Sequence, residues 1–337
     1  MAAEQPRAAG VRPLAEDARR PGGSSDKPDT AIMGILNVTA DSFSDGGRWL
    51  DPALALSHAQ AMAREGAGIV DVGAESTRPG AVRVPEEAER ERVVRTVSDI
   101  VRWRSEQAAL GENACGASFL VSVDTTRASV AAAALAAGAD IINDVSGGLL
   151  DPRMAPVVAE AGCRYVVQHW RGWMGPDGAA ETGQADCAYP GGVIEDVRDE
   201  LMRRVEAVGK QGVAAENIII DPGLGFSKPG IDTNFTVLAG LERFVGTGYP
   251  VLVGASRKGF LKAALRRDSA RSGCPRSEAA VERDLDAATA ATAALCALQG
   301  AWAVRVHAVA ATAAALAVAR EWRKHEERGE AWLTASR

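Results

Sequence analysis

Acidic and amide side chains stand at or next to the ends of several short apolar runs in this sequence. The runs FLVSVD, ADIIND and NIIID carry Asp124, Asn143 and Asp221 in this way. Carboxylates inside a closed cavity are costly unless hydrogen-bond donors or counter-ions satisfy them. A flat heterocycle with several N–H groups supplies such donors, because one carboxylate accepts two parallel N–H bonds from a guanidine-like edge. These three residues are therefore candidate ligands for a nitrogen-rich ring.

The two acids also have a purely structural interpretation as helix caps. Asp124 precedes TTRASVAAAALA, where an N-cap fits the sequence, and Asp221 precedes the turn residues Pro222 and Gly223. One such cap is an ordinary feature of a fold. That both acids serve only as caps is the less favoured interpretation, because polar endings recur along the chain.

Basic residues form a second group of candidates. VGASRKGF places Arg257 and Lys258 after an apolar run, and AVRVH adds Arg305 and His307. Free amides at a helix start, together with Arg and Lys, suit a phosphate group, although each basic residue alone fits a solvated surface equally well. Asn37, after AIMGIL, offers an oxygen of the kind that Mg²⁺ accepts while it shares substrate phosphates. The four histidines lack H-x-x-H spacing, so a zinc site is not expected.

The elements that must position these residues alternate between two kinds. Continuous apolar strands separated by helical stretches indicate a parallel sheet covered on both faces. Eight such units predict a single-domain α/β fold, the (β/α)8 TIM barrel, whose strand ends open on one face; a doubly wound open sheet is the alternative. The predicted strands are 31–38, 68–73, 119–124, 139–144, 164–169, 217–221, 250–254 and 303–307, and the clearest helices are 52–65, 85–105, 126–137, 192–209 and 308–325.

Composition limits the remaining possibilities. With 337 residues and 47% hydrophobic content, the chain can bury one large core, predicted over 28–325. Residues 1–27 are predicted to be a disordered tail and 326–337 a C-terminal tail; 266–283 is expected to be a long connection. The absence of a signal-like segment and of C-x-x-C pairs among five cysteines indicates a reducing, cytoplasmic setting, with no membrane partner. A net charge of −6 disfavours nucleic acid as a partner.

Six motifs in order resemble the dihydropteroate synthase family of bacterial folate biosynthesis. The resemblance runs from about residue 31 to 320, and HWR at 169–171 is similar to the actinobacterial members. The motifs are MGILNVTADSFSDGG, DVGAESTRPGA, SVDTTRASVAAAALAAGADIINDVSGG, DPGLGFSK, VGASRKGF and RVH.

The resemblance implies an activity. The family condenses 6-hydroxymethyl-7,8-dihydropterin pyrophosphate with 4-aminobenzoate, with Mg²⁺ assistance and no covalent enzyme intermediate. It also implies a homodimer as the common assembly.

The resemblance also assigns roles to the candidates. Asp124 and Asn143 are expected to contact the pterin ring nitrogens. Asp221 is expected to bind the 2-amino and N3–H edge of the pterin, and Lys258 its carbonyl side. Arg305 is expected against the ring and, with His307 and Asn37, near pyrophosphate and Mg²⁺; Arg257 belongs to the same basic motif. Two loops are expected to close over the aminobenzoate, and they contain Phe43, Thr77, Arg78 and Pro79.

The sequence departs from the family pattern at three positions, Ala40, Gly259 and Ala308. The usual residues there are Pro, a Ser that helps bind the aminobenzoate carboxylate, and Asp. A non-catalytic pterin-binding paralogue therefore remains an alternative. A pterin-dependent methyltransferase is less favoured, because it has no use for a basic pyrophosphate rim.

Overall fold

The computed structural model describes residues 29–39, 51–75, 83–111, 118–172, 187–271 and 273–335, with side chains to residue 326. The predicted tail at 1–27 lies outside these ranges. So do Ala40, Phe43 and the loop residues Thr77, Arg78 and Pro79.

Eight parallel strands, rich in the β-branched residues Val and Ile, form the centre of the molecule. Their order is β6-β5-β4-β3-β2-β1-β8-β7, and a parallel bridge between Ile220 and Val251 joins the two outer strands. The sheet is therefore a nearly closed barrel, which confirms the predicted fold and excludes the open doubly wound alternative. The strands are β1 Ala31–Asn37, β2 Ile69–Gly73, β3 Leu120–Asp124, β4 Ile141–Asp144, β5 Arg164–Gln168, β6 Ile218–Asp221, β7 Leu252–Val253 and β8 Ala303–Val306.

Ten α-helices in the described ranges surround the barrel. Local sequence explains where two of them begin: Asp51 caps α1 by accepting a hydrogen bond from the amide of Ala53 at 2.8 Å, and Ser277 caps α9. The helices are α1 Pro52–Arg64, α2 Glu86–Ala109, α3 Ala128–Ala136, α4 Met154–Ala161, α5 Val193–Gly209, α6 Gly230–Ala239, α7 Glu242–Val245, α8 Gly259–Arg271, α9 Glu278–Leu298 and α10 Val309–Ala335.

Two regions differ from the sequence-based expectation. Helix α10 continues through most of 326–337, the segment set apart above as a tail, and its Glu, Arg and Ala residues favour that extension. Much of the connection expected at 266–283 is helical, since α8 and α9 cover most of it. None of the helices in the described ranges is both long and apolar enough to span a bilayer.

The inside of the barrel is apolar at one end and polar at the other. Side chains alternate along a strand, so residues two or four positions after an inward apolar residue also point inward. Asp221 follows Ile219 and Arg305 follows Ala303 in this way. The apolar end consists of Met33, Ile69, Ile141, Val166, Ile219, Leu252 and Ala303. Alternation therefore carries the polar candidates to the mouth at the carboxyl ends of the strands.

Candidate active site

The first group of predicted residues lies side by side across β1 to β4. Strand register pairs Asn37 with Gly73, Gly73 with Asp124, and Asp124 with Asn143. A Cβ atom at Gly73 would lie 3.4 Å from Oδ1 of Asn37 and 3.9 Å from Oδ2 of Asp124. The amide predicted to face a metal therefore adjoins the carboxylate predicted to face the ring.

A second group converges around Gly254, directly after β7. A Cβ atom there would lie 3.8 Å from Nζ of Lys258, 3.9 Å from Oδ2 of Asp221 and 4.0 Å from Cβ of Arg305. Three side chains from β6, β8 and the start of α8 thus share one space. Asp221 also accepts a hydrogen bond from the Gly223 amide at 2.7 Å, so its turn-capping role coexists with a place at the mouth.

Arg305 links the two groups. Its Nη2 donates to Oδ2 of Asp124 at 2.8 Å, and its Nε donates to Oδ2 of Asp71 at 2.6 Å. The same Asp71 oxygen accepts from Nδ2 of Asn143 at 3.1 Å. The arginine therefore reaches across the barrel and compensates two buried carboxylates.

Sequence reasoning missed Asp71. It lies two residues before the end of β2, inside an apolar run where a polar ending does not mark it. Its position was detectable, since an inward residue recurs every second position along a strand and Asp71 stands two before Gly73.

Burial shifts the pKa values of the mouth residues toward neutrality. It raises the pKa of Asp124 to about 7; Arg305 opposes the shift, and Asp71 adds to it. Burial also raises the pKa of Asp221, against the attraction of Lys258. The pKa of Lys258 is lowered by burial to about 8, with Asp221 opposing. Acids and amines that change protonation near pH 7 in one cavity are typical of a functional site.

Lys258 is held by the loop that follows β6. Its ammonium group donates to the carbonyl of Leu224 and lies 4.8 Å from the centre of the Phe226 ring. The cation therefore meets both a carbonyl dipole and an aromatic face. Neither loop residue was identified from the sequence.

His307 and Arg257 have partners on different sides. Nδ1 of His307 lies 2.8 Å from Oγ of Ser256, so this hydroxyl orients the imidazole. The next residue, Ala308, has no polar side chain that could do so. Arg257 forms a two-pronged ion pair with Asp286 on α9, at 2.7 and 2.8 Å. The structure thus brings the His307 ring to the mouth loop, while the Arg257 charge is compensated by an outer helix.

A buried network beside β5 was also missed. Nζ of Lys228 lies 2.9 Å from Nδ1 of His169, and Nε2 of His169 lies 3.0 Å from Oε2 of Glu200. Because the ionised Glu200 carboxylate only accepts, the Nε2 hydrogen of His169 points to it and Nδ1 accepts from Lys228, whose pKa burial lowers to about 7. Burial lowers the pKa of His169 to about 4, while hydrogen bonds from His169 and Arg171 lower that of Glu200. The ring of His169 is therefore neutral and the carboxylate charged.

The described residues contain no group of three or more His, Cys, Asp or Glu side chains arranged to hold a metal ion. Such a set is needed for a dedicated protein cage. A hard cation that keeps its waters and binds substrate phosphates needs fewer protein ligands.

Three comparisons relate the chain to known proteins. Residues 33–307 match the family model described as pterin binding enzyme. The dihydropteroate synthase of Mycobacterium leprae is 46% identical over 291 residues, covering 86% of this chain and 93% of that one. Among solved structures, the Yersinia pestis dihydropteroate synthase with a sulfonamide drug complex has a TM-score of 0.72 at 31% identity, covering 88% and 95% of the two chains. The Burkholderia cenocepacia enzyme complexed with 7,8-dihydropteroate has a TM-score of 0.70 at 34% identity, covering 89% and 93%.

Proposed function

Because the chain belongs to the pterin-binding enzyme family and, within it, to the dihydropteroate synthases, we propose that it is the transferase that makes 7,8-dihydropteroate. Its substrates are 6-hydroxymethyl-7,8-dihydropterin pyrophosphate and 4-aminobenzoate, and pyrophosphate is the second product. The observation that carries this proposal is the convergence of Asp221, Lys258 and Arg305 around Gly254.

The buried acidic and amide side chains at the mouth suit the pterin ring. Asp221 accepts the 2-amino and N3–H edge, and Asp124 with Asn143 faces the other ring nitrogens. Lys258 faces the ring carbonyl, and Arg305 lies against the ring. The low exposure of Asp124 and Asp221 supports this assignment, because a carboxylate accepts several hydrogen bonds and the ligand supplies donors beyond those from Arg305 and the Gly223 amide.

The same arrangement supports the bond-breaking step. When the carbon–oxygen bond to pyrophosphate breaks, the oxygen keeps the electron pair and the methylene carbon becomes a cation conjugated with the pterin. A carboxylate fixed beside the ring, such as Asp124, stabilises that charge in a dry cavity. The arylamine nitrogen of 4-aminobenzoate then attacks the carbon and loses a proton.

The basic residues at the mouth are expected to bind the departing pyrophosphate. His307, oriented by Ser256, would donate a hydrogen bond to it. Asn37, whose Oδ1 lies beside Gly73 at the end of β1, would offer one oxygen ligand to a Mg²⁺ ion carried by the substrate. Mg²⁺, when bound, neutralises the negative charge of the leaving group. A single amide ligand fits such a substrate-carried ion.

The second substrate is expected above Lys258. The loop residues assigned to it from the family, Phe43, Thr77, Arg78 and Pro79, lie outside the described residues. Among the described residues, the backbone amides at the start of α8 suit the carboxylate of 4-aminobenzoate. They take the role of the family Ser, because this chain has Gly259 at that position.

The proposal is tested by pyrophosphate release from the purified protein with both substrates and Mg²⁺. We expect release only when the pterin and aminobenzoate are both present. Pterin binding without release would favour the non-catalytic paralogue. Methyl transfer from a methylated tetrahydrofolate would favour the methyltransferase.

The assembly and the compartment are part of the same proposal. We propose a homodimer, supported by three exposed apolar residues on neighbouring helices: Leu295 on α9, and Val318 and Trp322 on α10, which are 62%, 68% and 64% exposed. A cytoplasmic location without nucleic-acid or membrane partners remains a prediction from composition.

A further inference from the structure

The loop between β6 and α6, residues 222–229, is held from two sides by buried side chains that have no place in the chemistry above. Lys228, which is 2% exposed, holds it from within, and Asn234 on α6, which is 1% exposed, holds it from below. Burying an ammonium group is costly unless every N–H is used. The partners of these two residues therefore indicate what their burial achieves.

All three hydrogens of the Lys228 ammonium group have an acceptor. Nζ donates to the carbonyls of Gly223 and Phe226 at 3.0 and 3.1 Å, and to Nδ1 of His169 at 2.9 Å. Two of the three acceptors belong to the loop itself. The third, His169, is fixed in the required tautomer by Glu200. Lys228 thus ties two points of the loop to the end of β5.

Asn234 fixes the loop at a third point and also fixes the backbone of Lys228. Its Oδ1 accepts from the Gly225 amide at 2.7 Å. Its Nδ2 donates to the carbonyls of Lys228 and Gly230 at 2.8 and 2.7 Å. Lys228 and Asn234 together therefore determine the positions of residues 223 to 228.

At the mouth, this loop contacts the Lys258 side chain, and we call these contacts the seat of Lys258. The Leu224 carbonyl accepts from its ammonium group, and the Phe226 ring lies under that cation. A Cβ atom at Gly225 would lie 3.2 Å from Cδ of Lys258, so the glycine also allows the lysine stem to pass. Every contact of Lys258 with the loop lies between the points that the two buried residues hold.

We propose that Lys228 and Asn234 are positioning residues that act through the 223–226 segment to hold Lys258 in the pterin site. This inference rests on the proposed function, because it assumes that Lys258 contacts the pterin. Neither residue touches the substrate. Loss of either one loosens the seat of Lys258 while the lysine itself remains.

The first test measures the loop without any ligand. Hydrogen exchange is followed by mass spectrometry in the full-length wild type, in Lys228→Met and in Asn234→Ala. We expect faster exchange in peptides covering 222–229 in both variants, with peptides of β1 and β2 unchanged. Lys262→Met is the control, because it removes a lysine on α8 that is partly exposed and paired with Glu282. If exchange at 222–229 stays at the wild-type rate in variants that retain the wild-type fold, the proposal is overturned.

The second test is a double-mutant cycle in the affinity for 6-hydroxymethylpterin monophosphate, measured by calorimetry. Lys228→Met alone should weaken binding about tenfold, since charge-assisted hydrogen bonds to the loop are lost. In a Lys258→Met background the same change should have little further effect, because the residue being positioned is absent. Effects that multiply independently would overturn the proposal, and a purely structural loss of stability predicts that outcome.

The tests also separate this inference from the proposed activity. Binding does not require turnover, so a wild type that binds the pterin phosphate but releases no pyrophosphate contradicts only the catalytic proposal. Asn234→Ala keeps all charges and serves in the cycle should Lys228→Met fail to fold. The exchange measurement tests whether Lys228 and Asn234 hold the 222–229 loop, even if the wild type binds no pterin.

Discussion

The Asp124 carboxyl group is expected to release a proton when a pterin binds. Its pKa in the free protein is about 7, mainly because of burial. Ring N–H donors favour the carboxylate, so the pKa falls in the complex and a proton leaves at a pH below 7. At pH 8 the group is already ionised and release should be lost. Calorimetric titration at pH 6 in two buffers of different ionisation enthalpy measures the number of protons.

Asp221 requires a control in that measurement, because burial raises its pKa as well. Asp124→Asn should remove the protons that this group releases, and Asp221→Asn measures separately what the second carboxyl group contributes. Asp232→Asn, which changes an exposed carboxylate on α6, should leave the proton count unchanged. Equal proton release in the wild type and Asp124→Asn would contradict the assignment.

At the level of single residues, sequence identified those whose position is local. Asp124 and Asp221 end strands and Asn143 is the next-to-last residue of one, and a strand end is visible in a window of a few residues. Lys228 was not recognisable, because its role depends on His169, which lies 59 positions away along the chain. Arg257 illustrates the same limit: its motif indicates an anion, but the paired carboxylate of Asp286 lies in another helix.

Helix α8 provides a test at the scale of the secondary-structure element. Gly259 begins this helix, and a Cβ atom there would have no heavy atom within 4 Å. Gly259→Ser should therefore fit without strain and add a hydroxyl where the family has one. We expect the KM for 4-aminobenzoate to fall about fivefold, the effect of roughly one hydrogen bond, with the KM for the pterin pyrophosphate unchanged. Steady-state kinetics with each substrate varied in turn measures both values.

Helix propensity must be separated from that effect, since Ser is the better helix former. Gly209→Ser is the matched control: it changes the last residue of α5, which also has open space around it. Both variants should show equal or slightly raised melting temperatures. A KM for 4-aminobenzoate that changes alike in both, or in neither, would show that a hydroxyl at position 259 does not reach the substrate.

The elements were predictable where hydrophobic periodicity was strong. The eight strands and the helix at 192–209 follow directly from apolar spacing, and α5 spans Val193–Gly209. The composition of 266–283 predicts a connection, because Arg, Ser, Pro and Gly conceal its helical period. In the structure, α8 runs to Arg271 and α9 begins at Glu278 after the Ser277 cap. Local capping and packing against neighbouring helices therefore decide boundaries that composition leaves open.

At the scale of the whole molecule, one end of the barrel carries the chemistry and one side carries exposed apolar surface. Arg323 on α10 donates to the carbonyl of Ala297, so the carboxyl-terminal part of α9 lies beside the middle of α10. Val318 and Trp322, four positions apart, share one face of α10 and are mostly exposed, as is Leu295 on α9. A large exposed apolar patch is typical of a protein contact surface. The mouth is at the ends of the strands, so a partner on these helices leaves it open.

Trp322→Glu should therefore convert the proposed homodimer to a monomer. A charge placed in an apolar interface must be desolvated without a partner, which costs several kcal/mol. Sedimentation velocity at micromolar concentration measures the mass, and pyrophosphate release should persist because the mouth lies elsewhere. Leu54→Glu on α1, where the leucine is 50% exposed, is the control and should remain dimeric. A wild type that sediments as a monomer, or a Trp322→Glu variant that stays dimeric, would show that these helices do not form the subunit contact.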